Sequence, residues 1–125
     1  MRLNSDCARL VMLYLEENLQ YSQSISGEEL AEIPIFTSFE HDDVLYAVKQ
    51  LCKEGYLEFS SSDRIRGGAL YRVKDVEPKG HKFCELVRKE DEWNKSKPLL
   101  ENLSTIESIT AVLSNLISVV GTFLG

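Results

Sequence analysis

The stretch "HDDVLYAVKQLCKEGYLEF" at residues 41–59 constrains the fold more than any other part of the chain. Val44, Leu45, Val48, Leu51 and Cys52 recur at helical spacing, Gly55 can take the left-handed conformation that ends a helix, and Tyr56 to Ser60 has strand character. A helix closed by glycine and running straight into a strand fits few architectures. It fits a winged helix-turn-helix, in which the third helix feeds a β-hairpin.

The flanking sequence supplies the other parts. Asn4 is a good N-cap, Leu3 can pack back as a staple, and Cys7, Leu10, Val11, Tyr14, Leu15 and Leu19 mark a first helix over Ser5 to Asn18. Ser26 with Glu29 three residues on is a capping-box pattern for a short second helix, which Pro34 ends and from which Ile25 and Leu30 point inward. The third helix starts near Phe39 or Glu40 and leaves Asp42, Asp43, Tyr46, Gln50 and Lys53 outward. Leu70 to Val76 is a second strand, "SSSDRIRGG" before it is a polar loop, and Pro78 opens a fourth helix with Phe83, Cys84, Leu86 and Val87 as its apolar face. The fold expected is mainly α with a small β-hairpin, an α+β winged helix over residues 1–90 followed by a C-terminal helical extension over 91–125.

In the extension Pro98 is expected to break or kink the chain, and Ile106, Ile109, Leu113, Leu116, Val120 and Phe123 then alternate steps of three and four. Burying each such residue contributes about 1.5–3 kcal/mol, so the seam needs a covering surface. Two coverings are open: the first helix of the same chain, or a second copy, which makes a homo-oligomer through Ile106 to Leu124. From Ser108 to Gly125 there is no charge, but Ser108, Thr110, Ser114, Asn115, Ser118 and Thr122 punctuate the run and no Lys, Arg, Trp or Tyr flanks its far end. A bilayer-spanning helix is more apolar and better anchored than this.

The formal charge of -6 is unevenly spread. Residues 1–60 carry 4 basic and 11 acidic side chains, residues 61–97 carry 10 and 7, and the remainder holds only Glu101 and Glu107. Recognition helices meet phosphates with their leading end, and here that end is Glu40, His41, Asp42 and Asp43, which repels a polyanion. Arg64 and Arg66 at the hairpin tip are the candidate nucleic-acid contacts, backed by Arg72, Lys74, Lys79 and Lys82 but interrupted by Asp63, Asp75 and Glu77.

Nothing in the sequence carries catalysis. Cys7, Cys52 and Cys84 are odd in number, form no Cys-x-x-Cys pair and sit on apolar helix faces, which is core usage. His41 and His81 lack a nucleophile and an orienting group placed by motif, and no phosphate-binding glycine loop or His-Glu-x-x-His occurs. No enzyme activity, cofactor or metal site is expected. The first apolar stretch is interrupted by Asp6 and Arg9 and closed by Glu16 and Glu17, unlike a signal peptide, so a cytoplasmic protein is expected.

Taken in order, "MRLNSDC", "LYLEENL", "VLYAVKQLCKEGYLE", "KDVEPKGHKF" and "WNKSK" resemble a family of small phage, prophage and bacterial proteins of unknown function with a winged-helix body, over roughly residues 1–97. The resemblance implies a mobile-element setting and that fold, and it brings no activity, catalytic residue or cofactor. Ser5 stands where such sequences often have Pro, and Glu77 where they often have Thr. The function expected is a non-enzymatic regulatory or adaptor protein that binds a protein partner through Asp42, Asp43, Tyr46 and Gln50. The alternatives are a DNA-binding regulator using the wing and a membrane-active effector using the C-terminal helix.

Overall fold

In the computed structural model the Asn4 side chain accepts from the Cys7 amide at 3.0 Å and starts α1, Ser5–Asn18, whose stripe of Cys7, Ala8, Val11, Met12 and Leu15 is buried. The structure describes residues 1–63 and 69–124, with side chains described up to residue 116 of the last helix. A two-residue strand, β1 (Ile25–Ser26), leads into α2 (Gly27–Ala31), where the Ser26 hydroxyl accepts from the Glu29 amide at 3.1 Å as the capping pattern predicts. Pro34 ends that helix by opening a 3-10 turn, Pro34–Phe36, which drives Phe36 into the core edge-on to Tyr14, the ring centroids 5.6 Å apart.

Helix α3, His41–Lys53, follows and ends at Gly55, which takes φ +86°. Its inward residues are Val44, Ala47, Val48, Leu51 and Cys52. Leu45, expected among them, is only half-buried, and Ala47 takes the place because a small side chain lets the helix approach its neighbours closely.

The hairpin is longer than the alternation suggests. Strand β2 covers Leu57–Asp63 and β3 covers Ala69–Val76, so Ser61–Asp63, expected in the loop, are strand, paired from Ser61↔Tyr71 to Asp63↔Ala69. Cross-strand backbone bonds extend pairing through a stretch exposed on both faces, where no apolar residue is required. β1 pairs antiparallel with β3 through Ile25↔Val73 and Ser26↔Arg72, giving a small antiparallel sheet in the order β1-β3-β2.

Pro78 starts α4, Pro78–Val87, and α5, Glu90–Leu100, and α6, Ile106–Leu124, complete a mainly helical α+β chain. α5 falls in the extension expected to be helical, and Pro98, expected to break or kink the chain, lies inside its last turn. The missing N–H there leaves unpaired only the carbonyl of exposed Asn94, which water can satisfy. The core is continuous across residue 90: Trp93, Leu100, Ile106, Ile109 and Leu113 join the same buried cluster as α1, α3 and the sheet. α4 approaches the sheet so closely that a Cβ on Gly80 would lie 2.3 Å from the Tyr56 carbonyl oxygen.

Candidate functional site

Helix α3 opens with Asp42 and Asp43 in its first turn, where carboxylates favour the positive end of the helix dipole. The two then diverge. The Asp42 side chain is 80% exposed, whereas Asp43 lies on the flank toward α1, close enough to help, behind burial, in raising the Cys7 thiol pKa. Tyr46 and Gln50 are half-buried, Tyr46 packing on the core, so the outward set is a surface of mixed depth and not a projecting ridge.

A cleft of about 270 Å³ opens beside this face. Leu45, Tyr46 and Val48 of α3 form one wall, Gly27 and Glu28 at the start of α2 another, and Ala69, Leu70 and Tyr71 of β3 the third, with Asp42 and Lys49 at the lip. Gly27 matters to its shape, since a Cβ there would press on Leu45 Cδ2 at 3.2 Å. Of the predicted site residues Asp42 and Tyr46 line the cleft, while Asp43 and Gln50 do not. The mouth combines apolar walls that can anchor a side chain with an exposed carboxylate and a half-buried lysine at the lip.

Among the described residues, two of the basic side chains grouped with the wing are engaged elsewhere. Arg64 and Arg66 lie outside the described residues. Arg72 donates to Glu29 at 3.0 Å and to Ser24 at 3.3 Å, and Lys79 donates to the Glu54 carbonyl at 3.0 Å while lying 4.4 Å from the centre of the Tyr56 ring. Among the described residues of that set, Lys74 and Lys82 stand exposed without such a bond. Two cations that sequence grouped with the wing thus tie elements of the body together.

The titratable side chains have structural duties. Burial pushes each of the Cys7, Cys52 and Cys84 thiols up to about 12, so they stay protonated near neutrality and pack as small apolar groups. His81 Nδ1 donates to Glu16 Oε2 at 2.8 Å, and Arg88 donates to the other oxygen of the same carboxylate, joining α4 to α1. Partial burial raises the Glu16 pKa, but the hydrogen bonds from His81 and Arg88 outweigh it and hold it below the ordinary value. His41 sits on the surface 3.7 Å from Asp42. Among the described residues no group of His, Cys, Asp or Glu is arranged to hold a metal ion.

The apolar seam of the last helix is divided. Of the residues expected to form the seam, Ile106, Ile109 and Leu113 are buried in the chain's own core, against α4, α5 and α1. Leu116 is half-buried and lines an open groove with Leu86, Trp93 and Leu99, while the side chains of Val120 and Phe123 lie outside those described. Among the described residues no helix is long and apolar enough to cross a membrane. The seat of α6 was not legible beforehand: the Glu54 carboxylate, at the C-terminal end of α3, accepts from the Ile106 amide at 2.9 Å and the Glu107 amide at 3.0 Å. Tyr56 Oη meets Thr110 Oγ1 one turn on, at 3.1 Å.

The motifs behind the family resemblance meet in pairs. From the N-terminal motif, Asp6 accepts from Trp93 Nε1 at 2.7 Å and pairs with Lys97 Nζ at 3.1 Å, both from "WNKSK". From "KDVEPKGHKF", Lys79 and Gly80 abut Glu54 and Tyr56 of "VLYAVKQLCKEGYLE". These residues hold elements together, so the resemblance speaks to the fold and leaves the cleft uncommitted. No curated protein and no solved structure matches the chain. A family model described as Hypothetical protein (DUF2513) matches residues 2–107, which takes in every element up to the start of α6, and the chain belongs to that family.

Proposed function

We propose that this chain is a non-enzymatic winged-helix regulatory or adaptor protein from a phage or prophage setting, which acts in the cytoplasm by binding a protein through α3 and its cleft. Support for the winged helix comes from the order helix, short strand, two helices, then a hairpin whose second strand returns beside the first. A reducing compartment suits three free buried thiols. One observation carries the functional reading: where a DNA reader presents cations to phosphates, this helix presents Asp42 beside a cleft walled by Leu45, Tyr46, Leu70 and Tyr71. Apolar walls with an exposed carboxylate and a half-buried lysine at the lip suit an anchoring side chain of a protein better than a sugar-phosphate backbone.

The test pairs capture with DNA retention. Immobilised wild type, Asp42→Ala, Tyr46→Ala and a Lys82→Ala control are exposed to host lysate, and the wild type is assayed for retention of random-sequence duplex DNA at low and high salt. We expect one protein recovered equally by wild type and Lys82→Ala, a drop of about tenfold with the two α3 variants, and no DNA retention. Unchanged recovery with both α3 variants overturns the reading. Tight DNA retention that falls steeply with salt favours instead the second reading, a DNA-binding regulator, for which the long β2–β3 hairpin carrying Arg64 and Arg66 is the supporting feature.

A further inference from the structure

Strand β3 is paired from end to end on one side, but for a bulge at Lys74, and almost bare on the other. β2 matches it from Val76 to Ala69, whereas β1 reaches only Val73 and Arg72. After Ser26 the chain turns away into α2, and opposite Ala69, Leu70 and Tyr71 no strand stands among the described residues. Unpaired strand backbone calls for an extended partner. Those same three residues form one wall of the α3 cleft, so an open strand edge and an apolar recess occupy one place.

The opposite edge of the sheet differs. Beyond Leu57, β2 is exposed throughout and, apart from Phe59, whose ring lies against Tyr71, runs through Glu58, Ser60, Ser61, Ser62 and Asp63, polar and charged groups of the kind that blunt an edge against pairing. The bare part of β3 carries Ala69, Leu70 and Tyr71 and has a recess of about 270 Å³ beside it, room for one large apolar side chain. Along a strand, alternate side chains point the same way, so a segment laid in line with β1 drops one residue in two toward the recess while its neighbours meet the lip.

We infer that the partner bound at α3 is captured as an extended segment that continues β1 along Ala69–Tyr71, places an apolar side chain in the cleft and sets a Lys or Arg beside Asp42. This rests on the reading of α3 as a protein-binding surface and specifies the form of the ligand. The basic residue follows from charge: Asp42 is 80% exposed at the lip whereas Lys49 there is half-buried, and in this half of the chain acidic side chains outnumber basic ones 11 to 4.

The experiment pans a display library of random linear peptides on the full chain, then follows amide hydrogen exchange with a synthetic copy of an enriched sequence. The expected enrichment alternates apolar residues at every second position with a neighbouring Lys or Arg. Its binding should slow exchange at residues 69–71 by tenfold or more and weaken at least fivefold in Asp42→Lys. Enriched peptides with helical spacing that depend on Asp42 and Tyr46 but leave exchange at 69–71 unchanged overturn the inference while the α3 site stands. An absence of enrichment overturns it as well. Slowing at 69–71 that appears without peptide and grows with protein concentration assigns the edge to a second copy, which also overturns it.

Discussion

Removing the Glu54 carboxylate should loosen α6 without disturbing α3, and the size of the effect follows from two bonds. The carboxylate accepts from the first two amides of α6, at 2.9 and 3.0 Å, so it serves as an N-cap contributed from a distant part of the chain. Loss of an N-cap to alanine costs about 1 kcal/mol, and loss of a negative charge at the positive end of a helix about 0.3–1 kcal/mol more. The Glu107 bond is exposed and water can replace it, whereas the Ile106 amide is partly buried and is replaced less well. Glu54→Ala should therefore cost about 2 kcal/mol, lowering Tm by about 8 °C for a chain of this length. Glu54→Gln, which keeps one acceptor oxygen, should cost about half as much. Thermal unfolding followed by circular dichroism gives the magnitude, and hydrogen exchange at Ile106 and Glu107 gives the location. If Glu54→Ala leaves Tm within about 2 °C of wild type with those amides equally protected, the carboxylate does not seat α6. Loss of protection at Gln50 and Leu51 instead would mean that the residue acts on the end of its own helix.

Two further outcomes follow from the packing and the charges. Gly80→Ala would place a methyl 2.3 Å from the Tyr56 carbonyl oxygen and 2.8 Å from both Met12 and Val76, so α4 must shift off the sheet, and urea unfolding should show a loss of about 3 kcal/mol in place of the gain alanine usually brings to a helix. The Glu16 pKa is lowered in the folded state, so its contribution is present above the unfolded value near 4.5 and is lost as pH falls through the lower folded value; urea midpoints measured from neutral to acid pH should fall less steeply in that acid window for Glu16→Gln than for wild type.

Local chemistry made a large part of the fold legible. Asn4, Ser26, Gly55 and Pro78 act through their own backbone neighbours, and each begins or ends its helix where the residue type alone implies. The inward stripe of α3 was legible except at Leu45 and Ala47, because periodicity identifies a face while the neighbours determine how deeply each position on it lies. The bounds of α5 are less legible: its opening run of charged residues and an internal proline carry no apolar period, and the bond from Trp93 to Asp6 and the burial of Leu100 against distant elements hold the helix in place.

The candidate site was legible in its chemistry but not in its shape. That the leading end of α3 is acidic needs no structure, and neither does the apolar period of α6. Which of Asp42 and Asp43 reaches the cleft depends on where α1 and β3 flank the helix, contacts between residues tens of positions apart. The same holds for β1, whose two residues become a strand only because β3 is beside them, and for Ile106, Ile109 and Leu113, whose covering could be their own chain or another until the Glu54 carboxylate was seen to hold the helix in place. Capping, turn preference and periodicity are short-range and are written in neighbouring residues. Covering an apolar seam or opening a cleft depends on which surfaces meet after the chain has closed, and only the tertiary structure decides that.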